Sequence, residues 1–145
     1  MGMKELTKKI ILFLVKKLGR NIEGRKKLMK LMFLIDHYDV ELGKIKKSSL
    51  LGNEYFIYYY GVFSFDVMTS YNELVKEGKI RDSFPITTNV EVVKLPEEIR
   101  EKVEKIIQKF GHLSGYELEI RTLKLLGIQP YEKERYFGKG VSEIV

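Results

Sequence analysis

The sequence contains no cysteine. Disulfides, zinc–thiolate centres and cysteine nucleophiles are therefore excluded, and a reducing, cytoplasmic setting fits. Long apolar runs are also missing: the longest is IILFLV, residues 10–15. A bilayer-spanning helix needs about 20 such residues, so no span is expected. Lysines flank the run at Lys8, Lys9, Lys16 and Lys17 and no small-residue cleavage site follows it, so a signal peptide is not expected either. There are no internal repeats, low-complexity tracts or long linkers.

Signatures of catalysis are equally scarce. No Gly-x-Ser-x-Gly elbow occurs, and the GKG at residues 138–140 lacks the spacing of a phosphate loop. No pair of carboxylates stands out for acid–base work. His37 and Glu41 stand four apart, as two metal ligands on a helix do. His112 is the one other histidine, and a solvated helix face is the better reading. The expectation is a non-enzymatic protein with no catalytic residue, metal or cofactor.

What is present is the composition of a folded protein, 44% hydrophobic and 32% charged. A length of 145 residues favours one domain able to bury a core without metal or disulfides. The net charge of +6 is uneven. Residues 1–50 hold 13 Lys/Arg against 5 Asp/Glu, a net of +8; residues 51–145 hold 13 against 15, a net of −2. The first third is thus a candidate surface for nucleic acid or for an acidic protein partner.

Apolar spacing predicts a helix over residues 4–18, stopped by Gly19, and a second over residues 25–42, with Leu28, Leu31, Met32, Ile35, Tyr38 and Leu42 as its inner stripe. Arg25, Lys26, Lys27 and Lys30 lie largely off that stripe in the first turns, where cations oppose the helix dipole. Residues 43–53 read as a polar loop. The aromatic, β-branched EYFIYYY, residues 54–60, reads as a strand ended by Gly61. Ser64 is a good N-cap for a third helix over residues 65–77, and Gly78 is a natural helix stop. A hairpin follows, with residues 79–81 and 90–95 as its strands. Pro96 opens a fourth helix to residue 110. Ser114 and Glu117 form a capping box for a fifth that ends at Gly127, and residues 130–137 suggest a last short helix. The expected class is α+β, mainly helical. Its centre, residues 1–95, follows a winged-helix order of helix, helix, strand, helix and hairpin. Residues 96–145 extend it with helices that either cover the core or make a homodimer.

Two stretches, GRKKLMKLMFLIDHY (residues 24–38) and FIYYYGVFSFDVMTSYNELVKEGKI (residues 56–80), resemble the YwgA-like proteins of bacteria and archaea and, more distantly, the SocA-like Panacea antitoxin domain. That family pairs a Lys-Leu-x-Lys-Leu helix with an aromatic segment, a Gly-Pro turn and a helix. Here Lys27-Leu28-Met29-Lys30-Leu31 supplies the first element, and Gly61-Val62 stands where the family has Gly-Pro. The resemblance implies a non-enzymatic regulatory or antitoxin-type module without catalytic residues.

The leading expectation is a non-enzymatic regulatory module of winged-helix type that binds nucleic acid through the basic first third and the wing, and the alternative is a protein-interaction module of antitoxin or adaptor type that does not bind DNA. If the chain binds double-stranded DNA, Arg20, Arg25, Lys26, Lys27 and Lys30 meet phosphates, as do Lys79 and Arg81 on the wing. Thr69, Ser70 and Lys76 of the third helix then face the groove, although Asp66, Glu73 and Glu77 make that face awkward for DNA. If the chain binds a protein, an aromatic face of residues 54–60, that of Tyr55 and Tyr59, stays exposed for it. Core packing is the commoner use of such rings.

Overall fold

The computed structural model describes residues 2–145. Helix α2 (Arg25–His37) is its centre, with α1 (Met3–Leu18), α3 (Phe65–Lys76), α4 (Glu97–Phe110) and α5 (Gly115–Leu125) packed around it. All of α2 from Lys27 onward is buried. One hydrophobic cluster runs from Ile10 to Val141 and joins every helix. The chain is mainly helical α+β, with three separate two-stranded antiparallel hairpins.

The helix ends obey local rules. Ser64 Oγ accepts from the Val67 N–H and starts α3. Ser114 and Glu117 form the reciprocal capping box of α5. Both helices stop at a positive-φ glycine. At Gly78 the Lys79 N–H reaches the Leu74 carbonyl at 2.9 Å and the Gly78 N–H reaches that of Val75 at 3.0 Å, a Schellman closure.

The strands depart from expectation. The second helix ends at His37, not at residue 42. Asp39 Oδ1 accepts from the N–H groups of Glu41 and Leu42 at 3.0 Å each, a side-chain competitor for helical hydrogen bonds. β1 (Tyr38–Asp39) then pairs with β2 (Lys44–Ile45). Leu42, expected in the core, lies 63% exposed near the tip of that hairpin. The expected strand 54–60 is also divided. β3 (Phe56–Tyr58) turns through Tyr59 and Tyr60 and pairs with β4 (Gly61–Phe63), so Gly61 opens a strand instead of ending one.

The wing is shorter than expected. β5 (Ile80–Arg81) pairs with β6 (Thr87–Thr88), and residues 90–95 are irregular. Thr88 Oγ1 donates to the Lys79 carbonyl and Asn89 Nδ2 to that of Gly78, which fixes the return near residue 88. β3 does not join this hairpin. Its free edge is covered by residues 137–141, through bonds such as Ile57 N–H to the Lys139 carbonyl at 3.1 Å. The three-stranded sheet of a winged helix is therefore not formed. Beyond α5 a 3₁₀ segment (Pro130–Tyr136) and the short α6 (Val141–Ile144) complete the chain. No described helix is long and apolar enough to cross a membrane.

Candidate interaction groove

The residues expected to meet DNA are split between surface and interior. Lys27 and Lys30 are 3% and 2% exposed, because α2 is enclosed on all sides. Lys27 Nζ donates to the Gly111 carbonyl at 2.7 Å and so caps the C-terminal end of α4. Lys30 Nζ donates to the Val62 carbonyl at 2.8 Å and ties α2 to β4. Ser70 faces the core. None of the three is available to a phosphate or a base. Arg25 lies 3.8 Å from Asp82, and Lys26 is paired with Glu119 at 2.7 Å. Arg20, Thr69, Lys76, Lys79 and Arg81 are exposed, although Lys79 lies 3.8 Å from Glu77.

The two tyrosines expected on one exposed face also separate. Tyr55 is buried, and its hydroxyl donates to Asp36 Oδ2 at 2.7 Å. Tyr59 is exposed at the β3–β4 turn, its ring edge-on to Phe137. His37 is buried, with Nδ1 donating to the Lys46 carbonyl at 2.9 Å. Among the described residues no group of three or more His, Asp or Glu is placed to hold a metal.

An open groove of about 660 Å³ lies between the start of α2, the β3–β4 hairpin and the loop joining β5 to β6. Met29, Phe63 and Met68 give it an apolar lining. Tyr60 and Phe84 stand on it 68% and 80% exposed. The Phe84 ring lies close over Gly24, where an added Cβ would come 3.4 Å from it. On the other side Lys26 Nζ sits 5.1 Å from the Tyr60 ring centroid and 5.7 Å from that of Tyr116. Phe63 continues outward as an edge-to-face cluster with Tyr58 and the exposed Phe65. Sequence reasoning missed Phe84 and Tyr60 as surface groups. The legible signal was Ser83-Phe84-Pro85, an aromatic inside a turn, where no periodicity demands burial.

The charges beside the groove are unbalanced. Glu119, itself buried, accepts from Lys26 at 2.7 Å and from Lys133 at 2.9 Å. Burial pushes its carboxyl up, and the two lysines more than reverse this, holding it below the usual range. Burial brings the Lys30 ammonium down to about 7; Glu119 opposes that shift, and Lys26 and Lys133 add to it. On the far wall Asp82 accepts from the Tyr71 hydroxyl at 2.5 Å. Burial, followed by that bond, raises the Tyr71 phenol.

The domain is mainly helical α+β and carries an aromatic-rimmed groove on its surface. The family described as "Antitoxin SocA-like, Panacea domain" matches residues 28–124, about two thirds of the chain, and the protein belongs to that family. The resemblance to YwgA-like proteins is not confirmed. No curated protein and no solved structure matches. The matched region contains most of the groove, namely its apolar lining, Tyr60 and Phe84, and also Glu119 beside it.

Proposed function

We propose that the chain is a non-enzymatic protein-interaction module of antitoxin type, and that a partner protein docks in the groove between α2, the β3–β4 turn and Phe84. The groove itself carries the reading. It offers an apolar lining with two largely exposed rings, Tyr60 and Phe84, on its rim. Continuous exposed apolar surface marks interaction sites, and aromatic anchors supply much of the binding energy there. The family's antitoxin description supports the same reading. A duplex-binding surface through Lys26, Lys30 and Arg81 would need Lys30 outside and Lys26 unpaired, which neither is.

The test starts from nuclease-treated native extract, with the chain and its Tyr60→Ser/Phe84→Ser double variant as baits. A captured protein is then purified and titrated against both. The expected result is a defined stoichiometric complex that the double variant weakens at least tenfold. Equal affinity for both chains would remove the groove from the reading.

Duplex DNA is the second reading, favoured by the exposed Thr69 and Lys76 of α3, by Lys79 and Arg81 beside them in the chain, and by Arg20. It requires binding that weakens steeply with salt. No binding at about 50 mM salt, or a flat salt dependence, ends it.

A further inference from the structure

We infer that the groove takes an acidic peptide segment of the partner, with an apolar side chain on Met29, Phe63 and Met68 and a neighbouring carboxylate directed at the α2 wall. This rests on the groove being the partner site and specifies what that site recognises.

Charge complementarity points to an acid. Two cations that reach the surface, Arg25 and Lys26, line the groove with the buried Lys30 behind them, and Asp82 is the one carboxylate of the lining. Asp82 is already engaged by the Tyr71 hydroxyl and lies 3.8 Å from Arg25. Glu119 is shared between Lys26 and Lys133. Among the described residues Lys30, buried beside that pair, has the neutral Val62 carbonyl as its one hydrogen-bond acceptor. Lys26 and Lys133 around the one carboxylate of Glu119 leave a local positive excess, to which Lys30 with its lowered pKa adds only in part, next to an apolar lining and in a partly desolvated place where charge interactions are stronger than in water. A carboxylate entering from the groove relieves that excess, and a basic group increases it. The adjoining rings and methionine side chains provide a seat for an apolar residue next to the acid. The recognised unit is therefore an acid beside an aromatic or aliphatic residue.

The experiment pans a random peptide phage library on the full chain at about 150 mM salt. The most enriched peptides are synthesised with a fluorophore. Their affinities are measured by anisotropy against the wild type, Arg25→Glu and Phe84→Ser, two changes at exposed side chains. The expected peptides carry Asp or Glu next to an apolar residue. Replacing their acids by amides weakens binding at least tenfold, as do Arg25→Glu and Phe84→Ser. Enriched peptides that are neutral or basic, yet lose affinity for Phe84→Ser, overturn the acidic specificity and leave the groove standing. Peptides that bind Phe84→Ser as tightly as the wild type, or no enrichment at all, overturn both. A labelled duplex, run in parallel, belongs with that last outcome if it binds with a steep salt dependence.

Discussion

Helix α2 carries its charges inward, while the β3–β4 turn, which packs against it, carries its aromatic rings outward. Lys27, Lys30, Asp36 and His37 are interior, and Tyr59 and Tyr60 are on the surface. Each buried polar group of α2 is hydrogen-bonded: the two lysines to carbonyls, His37 to the Lys46 carbonyl, and Asp36 to four donors. No described buried side-chain nitrogen or oxygen lacks a partner. Such groups hold distant segments in register, because each one left unpaired would cost more than it gains when bonded. The turn is held through its backbone, where Lys133 Nζ donates to the Tyr59 carbonyl, and not through its side chains. Its rings lie outside the core, Tyr59 edge-on to Phe137 at the core's margin and Tyr60 beside Lys26. Polarity therefore says little about which of these residues meets a partner; the closure of each hydrogen-bond set says more.

The contrast is broken most severely at Asp36. Its carboxylate accepts from Ser49 Oγ at 2.8 Å, the Leu51 N–H at 2.7 Å, Asn53 Nδ2 at 3.1 Å and the Tyr55 hydroxyl at 2.7 Å. Asp36→Ala leaves several buried donors unpaired and releases the segment leading into β3. The expected loss is at least about 3 kcal/mol in urea unfolding. A loss under about 1 kcal/mol would mean that the interior of α2 does not depend on this closure.

Lys30 tests the charged half of the interior. Its folded pKa of about 7 lies below the 10.5 of a free lysine, so between those values the unfolded chain binds more protons. Stability then rises with pH across that window, and the penalty of the buried charge is complete below about pH 7. Its size is on the order of a few kcal/mol. Lys30→Met keeps the volume and removes the charge. It should flatten the rise between pH 7 and 10 and leave stability at pH 6 unchanged or higher. Chemical unfolding of both chains across that range checks this. An unchanged slope in Lys30→Met would place the titration elsewhere.

Gly61 joins the two regions. It has φ +89°, and an added Cβ would lie 3.0 Å from Glu119 Cγ and 3.6 Å from Lys30 Cε. Gly61→Ala combines a left-handed conformation with a crowded approach to α5. It should cost about 1–2 kcal/mol, with a matching drop in the urea midpoint. An unaffected midpoint would show that the hairpin sits loosely over the lysine cluster.

The sequence disclosed the parts governed by neighbours a few residues apart. Ser64, Gly78 and the Ser114–Glu117 pair define helix ends through bonds within one turn, and each end lies within a residue or two of its expected place. The core stripe of α2 was legible from period alone for Leu28, Leu31, Met32 and Ile35. Period was silent on the opposite face. Lys27 and Lys30 are interior because α4, α5 and β4 close around α2, and that depends on contacts 32 and 84 positions away in the chain. The hairpins were harder for the same reason. Tyr59–Tyr60 lacks the Asn-Gly chemistry that announces a two-residue turn, and Thr87–Thr88 is too short to alternate. The groove was the least legible, since Phe84, Tyr60 and Met68 come together only when three loops and helices converge.

The smallest effect on stability is expected at the groove rim, and there it is most informative. Tyr60 touches the fold through a cation–π approach of Lys26, an exposed contact of about 0.5 kcal/mol. Phe84 is 80% exposed and lies close to Gly24. Tyr60→Ser and Phe84→Ser should each shift stability by no more than about 0.5 kcal/mol, while partner affinity falls at least tenfold. Measured together, thermal unfolding and binding separate a ring kept for the fold from one kept for a partner. A destabilisation above about 2 kcal/mol at either ring would assign that ring to the core, and the contrast between α2 and the turn would no longer hold at that position.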